Sequence, residues 1–226
     1  MENKLPFTSY DFWAYLSAGF LLLFVVDHVA GTNWLMRETW TVVQSIVAFS
    51  CAYAVGHVNA SMSSFIFEQL LVGKFLGAPR DILFKQGKTR CFIRTLIPGY
   101  FKLLPEATRT AAIKRAEVQN IRNDSEAMFW AAFSSARATP VVMSRLDNFL
   151  NMYGFCRNVA LVSFIDAGLL YWFWRWGAGT DETLTWICVS LVLGLGMTLR
   201  YLKFFRHYAV EVFTCFAHNE EPNRAK

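Results

Sequence analysis

The chain has little that names a chemistry. Its five cysteines, Cys51, Cys91, Cys156, Cys188 and Cys215, are odd in number and contain no CxxC pair, so neither a regular disulfide framework nor a thiol redox motif is present. Free thiols are therefore expected. Histidine is scarce: His28, His57, His207 and His218 are scattered. There is no HExxH, no GxSxG and no glycine-rich phosphate loop, which removes the common zinc-hydrolase, serine-hydrolase and nucleotide-binding signatures. Cys215 and His218 lie close enough on a helix to share a metal, but an ordinary helix explains them better. The expectation is no metal, no cofactor and no catalytic residue. Internal repeats, low-complexity tracts and Ser/Gly linkers are also absent.

Charge is sparse as well, at 17% of residues, while apolar residues reach 54% and aromatics 16%. That apolar share lies above the roughly 45–50% of soluble domains. Phe is abundant, with 21 residues, and there are 8 Trp; such an excess suits lipid contact and the headgroup level. The fold class expected is an all-α integral membrane protein with four transmembrane helices, helical extensions at the cytoplasmic side and a mostly helical insertion between the second and third spans. Each span approaches the ~20 apolar residues that cross a hydrocarbon core.

The first span covers residues 10–30, opened by the capping pattern Thr8-Ser9-Tyr10-Asp11, and reads as a retained helix, since no small-residue cleavage site follows it. The second starts near Thr39 and continues past Val58 as one long helix to Gly77-Ala78-Pro79, where glycine and proline end it. Residues 81–84 and 90–97 read as short strands or irregular structure. Pro105 suits the first residue of a helix to about Arg122. Ser125 is a cap for a helix through Ala138, and Thr139-Pro140 opens a third that runs into the third span, 153–176. The fourth span, 183–199, continues as 200–216, and the tail 219–226 is polar. The domain division is thus 1–79, a basic block 80–151, 152–216 and the tail 217–226.

The connections between spans one and two, and three and four, carry Arg37 with Glu38, and Arg175 with Asp181 and Glu182. The other side holds Lys4, the basic block, Lys203 and Arg206. Positive residues favour the cytoplasm, so both termini and the block are expected there, in a cell inner membrane. The block's basic residues fit attraction to anionic inner-leaflet lipids, at about 1 kcal/mol per residue near the surface. Nucleic acid is the less favoured reading, and a pocket for an anionic ligand is a further one.

Polar residues within the spans are the most informative. Asp166, in the middle of span three, needs a partner, protonation or water. Arg157 and Asn158 lie at its inner end and are candidate intramembrane polar contacts, although snorkelling is the simpler reading for Arg157, as it is for Arg200. Ser50, His57, Ser61, Ser64 and Glu68 follow at steps that keep them on one helix face at roughly 3.6 residues per turn. That face is either a buried seam, with His57 reaching Asn158 or Asp166, or the lining of a water-filled path with Glu68 at its mouth. Gly194, Gly196 and Ser190 leave span four thin, as close helix packing requires.

The segments Tyr10-Asp11-Phe12-Trp13-Ala14-Tyr15 with Gly19, Gly56-His57 to Glu68, and Asn151-Met152-Tyr153-Gly154-Phe155-Cys156-Arg157-Asn158 resemble those of small uncharacterised prokaryotic four-helix inner-membrane proteins. Some of these act as membrane effectors in antiphage defence. The resemblance implies a bacterial inner membrane and assigns no site residue. The function expected first is a homo-oligomeric channel or pore-forming effector, gated or anchored through the cytoplasmic block. A membrane anchor or sensor that recruits a cytosolic partner protein comes second, and an intramembrane lipid-modifying enzyme third.

Overall fold

The computed structural model describes residues 9–85, 91–122 and 124–218. The Thr8 capping pattern, Lys4 and the polar tail lie outside them. The described chain is helical: α1 (Ser9–Ala30), α2 (Val42–Ser63) continuing as a π-helical segment (Ser64–Leu76), α3 (Pro79–Ile82), α4 (Cys91–Leu96), α5 (Glu106–Val118), α6 (Ser125–Arg137), α7 (Pro140–Trp176) and α8 (Asp181–His218). Four of these helices are long and apolar enough to cross a membrane. The others lie between the second and third of these.

Local signals explain most boundaries. Thr41 caps α2 in a reciprocal box: Gln44 N donates to Thr41 Oγ1 at 3.3 Å and Thr41 N donates to Gln44 Oε1 at 3.0 Å. Pro140 is the first residue of α7, as expected. Three expectations need correction. Residues 81–84 and 91–96 form helical turns, not strands, and residue 90 lies outside the described residues; a lone short segment satisfies its backbone within a helix, whereas a strand needs a neighbour. Pro105 is the extended residue before α5, and the helix stops at Val118 because Asn120 takes a left-handed backbone, φ 53°. Asp124, not Ser125, caps α6, accepting from Ala127 N at 2.7 Å, while the Ser125 hydroxyl donates to the Asp81 carboxylate.

The chain divides into two compact units. The first comprises Met1–Gln69 and Gly154–Tyr201. In it α1 and α2 form a hairpin in backbone contact: a Cβ at Gly19 would stand 1.8 Å from the Ala52 carbonyl oxygen, and one at Gly56 would stand 1.9 Å from that of Tyr15. Ala14, Ala18, Ala48 and Ala52 are fully buried along the same seam. In lipid, where apolar side chains gain nothing by leaving solvent, such close approach is what holds helices together. Gly194 of α8 takes the Phe164 ring of α7, with a Cβ there only 2.9 Å from the ring, whereas Gly196 meets nothing. Helix α7 is the most enclosed of the four long helices and α8 the least.

The second unit comprises Leu70–Tyr153 and Leu202–Lys226. Its core is built largely from alanines on two helices and large side chains on a third. Ala112 and Ala116 of α5 and Met128, Ala132 and Ala136 of α6 recur every fourth residue and face Val212, Phe213 and Phe216 of α8. The alanines admit close approach and the phenyl rings fill the space between. Val142 and Leu146 of α7 complete the core, and an Arg145–Glu211 ion pair at 2.9 Å borders it. The continuation of α8 through residues 200–216 is as the sequence predicts.

Candidate functional site

The polar residues of the first unit gather where α2 passes into its π segment, against α7. Arg157 pairs with Glu68 through Nη1 and Oε1, and its Nε donates to Ser63 Oγ at 3.1 Å. The Ser63 hydroxyl lies 2.7 Å from Asn158 Oδ1, and Asn59 Nδ2 donates to the Asn158 carbonyl at 3.0 Å. Ser64 Oγ donates to the other Glu68 oxygen, at 3.2 Å. Asn59, Ser63 and Asn158 are buried, at 2% exposure or less. The Arg157 side chain is 13% exposed and that of Glu68 32%. A guanidinium here is compensated by carboxylate and hydroxyl together, the condition under which an enclosed charge persists. Arg157 is therefore a paired residue, not one that snorkels away.

The winding positions these groups. The buried positions on α2 advance as Asn59, Ser63 and Phe67, four residues apart, and the next are Val72 and Leu76. The five-residue step from Phe67 to Val72 is the signature of i→i+5 bonding, which the chain closes with Gly77 N donating to the Val72 carbonyl at 2.7 Å. Such winding is rare beyond a single turn and recurs at functional sites. It begins at Ser64, the residue that contacts Glu68.

Of the stripe read from the sequence, Ser64 and Glu68 join this cluster. Ser50, His57 and Ser61 do not; they are exposed on the outer surface of α2. His57 stacks on Tyr15 at 4.1 Å between ring centroids and meets Tyr53 edge-on at 4.5 Å. Ser61 Oγ donates to the His57 carbonyl of its own helix at 3.2 Å. The contact expected between His57 and Asn158 is made instead by Asn59 and Ser63, one turn further along and on the Gly56 side. Sequence reasoning missed both, although Ala48, Ala52, Gly56, Asn59 and Ser63 form a run of small residues at helical spacing.

Two buried carboxylates behave differently. Asp27 accepts from the backbone N–H groups of Trp34 and Leu35, each at 2.9 Å, and from the Thr32 hydroxyl. It ties down the connection between α1 and α2. Asp166 is 5% exposed and its Oδ1 has no hydrogen-bond partner among the described residues.

No family model, no curated protein and no solved structure matches this chain. The site therefore rests on its own geometry. Among the described residues no group of three or more His, Cys, Asp or Glu side chains is placed to hold a metal ion.

The second unit contains an open cleft of about 800 Å³. Lys74, Lys85 and Arg109 line it with Asp81, Asp124 and Phe84. Arg109 is held by Glu106 at 2.9 Å. Tyr100, whose hydroxyl donates to the Gly77 carbonyl at 3.0 Å, has its phenol pushed up by burial and by nearby Asp81.

Proposed function

We propose that the chain is the protomer of a homo-oligomeric membrane channel, with Ser50, His57 and Ser61 of α2 turned toward a path shared between copies. The observation that carries this reading is the exposure of these polar residues on a membrane-spanning helix whose own bundle buries Asn59 and Ser63. A polar group facing lipid is unfavourable, so polar residues in spans usually meet another helix or water. The sparse enclosure of α8 also leaves surface for neighbouring copies. His57, held between Tyr15 and Tyr53, is the constriction. Glu68 at the end of the path is tied to Arg157, so the pair acts as a latch rather than as an isolated acidic ring.

In this reading both termini and the basic block face the cytoplasm of a bacterial cell, against anionic inner-leaflet lipids. The Lys/Arg bias of the connections supports that orientation. The resemblance to antiphage effectors adds a role in which opening the channel is the defensive act. A second reading is a membrane-anchored sensor that recruits a cytosolic protein. The cleft bearing Lys74, Lys85 and Arg109 favours it.

Two measurements test the leading reading. The mass of the purified protein in detergent should be a multiple of the protomer mass, and planar bilayers containing it should conduct. A clean monomer, or an oligomer without conductance, contradicts the channel; stable capture of a defined soluble protein by a non-conducting oligomer favours the sensor.

A further inference from the structure

Asp166 lies nine residues from Arg157 and nine from Arg175 along α7. Each interval is about 14 Å of helical rise. The two arginines thus stand about 27 Å apart, close to the ~30 Å of a hydrocarbon core, and Asp166 falls at its middle. A bare carboxylate at this depth is among the costliest groups a span can hold. It persists there with a proton or with a counter-charge.

Among the described residues the bundle supplies no Lys or Arg at that level, and the other titratable side chain lining the same groove is His28 of α1. Neither α1 nor the α-helical part of α2 contains Lys or Arg, and the first on α8 is Arg200. A second copy of the same helices brings no ammonium or guanidinium there either. The hydroxyl of Ser163, one turn away on α7, donates to the Val159 carbonyl at 2.8 Å. What Asp166 does have is space: it sits in the floor of a groove of about 400 Å³ between α1, α7 and α8. The walls include Leu21, Phe24, Trp186 and Leu193, each partly open at the outer surface of the bundle. An apolar trough with aromatic edges and one buried carboxylate complements an apolar body that carries positive charge, since aromatic faces attract cations and the carboxylate neutralises them.

We propose that this groove binds a hydrophobic organic cation from the bilayer, with Asp166 as its counter-ion. The site is separate from the outer face of α2 and does not depend on the channel reading. Ligand and proton compete for one carboxylate. Binding therefore weakens as pH falls, because a protonated carboxyl carries no charge to pair with the cation.

The test uses the full chain in nanodiscs of neutral phosphatidylcholine. Equilibrium dialysis with tetraphenylphosphonium should give saturable binding, quenched by acid. Tetraphenylborate, of the same shape and opposite charge, should not bind above empty discs. Asp166→Asn should lower phosphonium affinity at least tenfold, and Asp166→Glu should retain most of it. Ser190→Trp, which leaves the carboxylate in place and adds bulk at a residue lining the groove, should also lose binding, and it decides the matter if Asp166→Asn does not assemble. Equal affinity in Asp166→Asn, equal binding of the borate, an absence of saturable binding to the wild type, or undiminished binding in a folded Ser190→Trp protein would each overturn the proposal.

Discussion

Arg157 on α7 reaches across to Glu68 at the first turn of the π segment, and its Nε simultaneously holds Ser63 on the preceding α-helical turn. One guanidinium thus grips both windings of the second long helix. Losing either partner leaves the other partly enclosed and uncompensated. Arg157→Gln and Glu68→Gln should each lower the unfolding temperature in detergent, and a double-mutant cycle should return a coupling of about 1–3 kcal/mol. A coupling near zero would reduce the pair to a surface contact.

The α1–α2 hairpin offers a sharper contrast. Gly19→Ala or Gly56→Ala drives a methyl group into a backbone carbonyl, where no side-chain rotation can relieve it. Overpacking of this kind costs about 3 kcal/mol or more. Gly196→Ala, which meets nothing within 4 Å, should leave stability unchanged. Thermal unfolding of the three variants in one detergent checks the ranking.

In the second unit Phe213 is fully buried among the alanines of α5 and α6. Phe213→Ala removes the ring that fills that space and should cost about 3–5 kcal/mol. If α8 contributed nothing to this core, protease sensitivity around α5 and α6 would not change.

Asp27 makes its own prediction. Asp27→Ala strips the acceptors from Trp34 N and Leu35 N. Leaving enclosed donors unmet costs about 1–3 kcal/mol. Hydrogen exchange at Trp34 and Leu35 should quicken, while amides in the middle of α1 stay protected.

Much of this architecture is legible in the sequence, because span length, capping residues and prolines are local signals. Thr41 with Gln44, and Thr139 with Pro140, mark helix starts without reference to anything distant. The polar cluster is less legible. Following hydroxyl and charged residues at 3.6 spacing selects Ser50, His57 and Ser61, which the bundle leaves outside. The seam follows small size instead, through Ala52, Gly56, Asn59 and Ser63, because backbone approach decides which face turns inward. The switch to π winding at Ser64 leaves no local mark in composition. It brings Glu68 to Arg157, a pairing that a constant 3.6 period does not reveal. Asp166 is conspicuous in the sequence, but the groove above it depends on three helices meeting.

The central claim, that the outer polar face of α2 borders a conducting path, is tested most directly at Ser61. With the five native cysteines replaced, Ser61→Cys protein in a planar bilayer should lose most of its current when a charged methanethiosulfonate reagent is added, and recover it on reduction. Val58→Cys, on the adjoining apolar side of the exposed surface, should conduct unchanged under the same treatment. A full current through the labelled Ser61→Cys protein, or block of the Val58→Cys protein alone, would contradict the account.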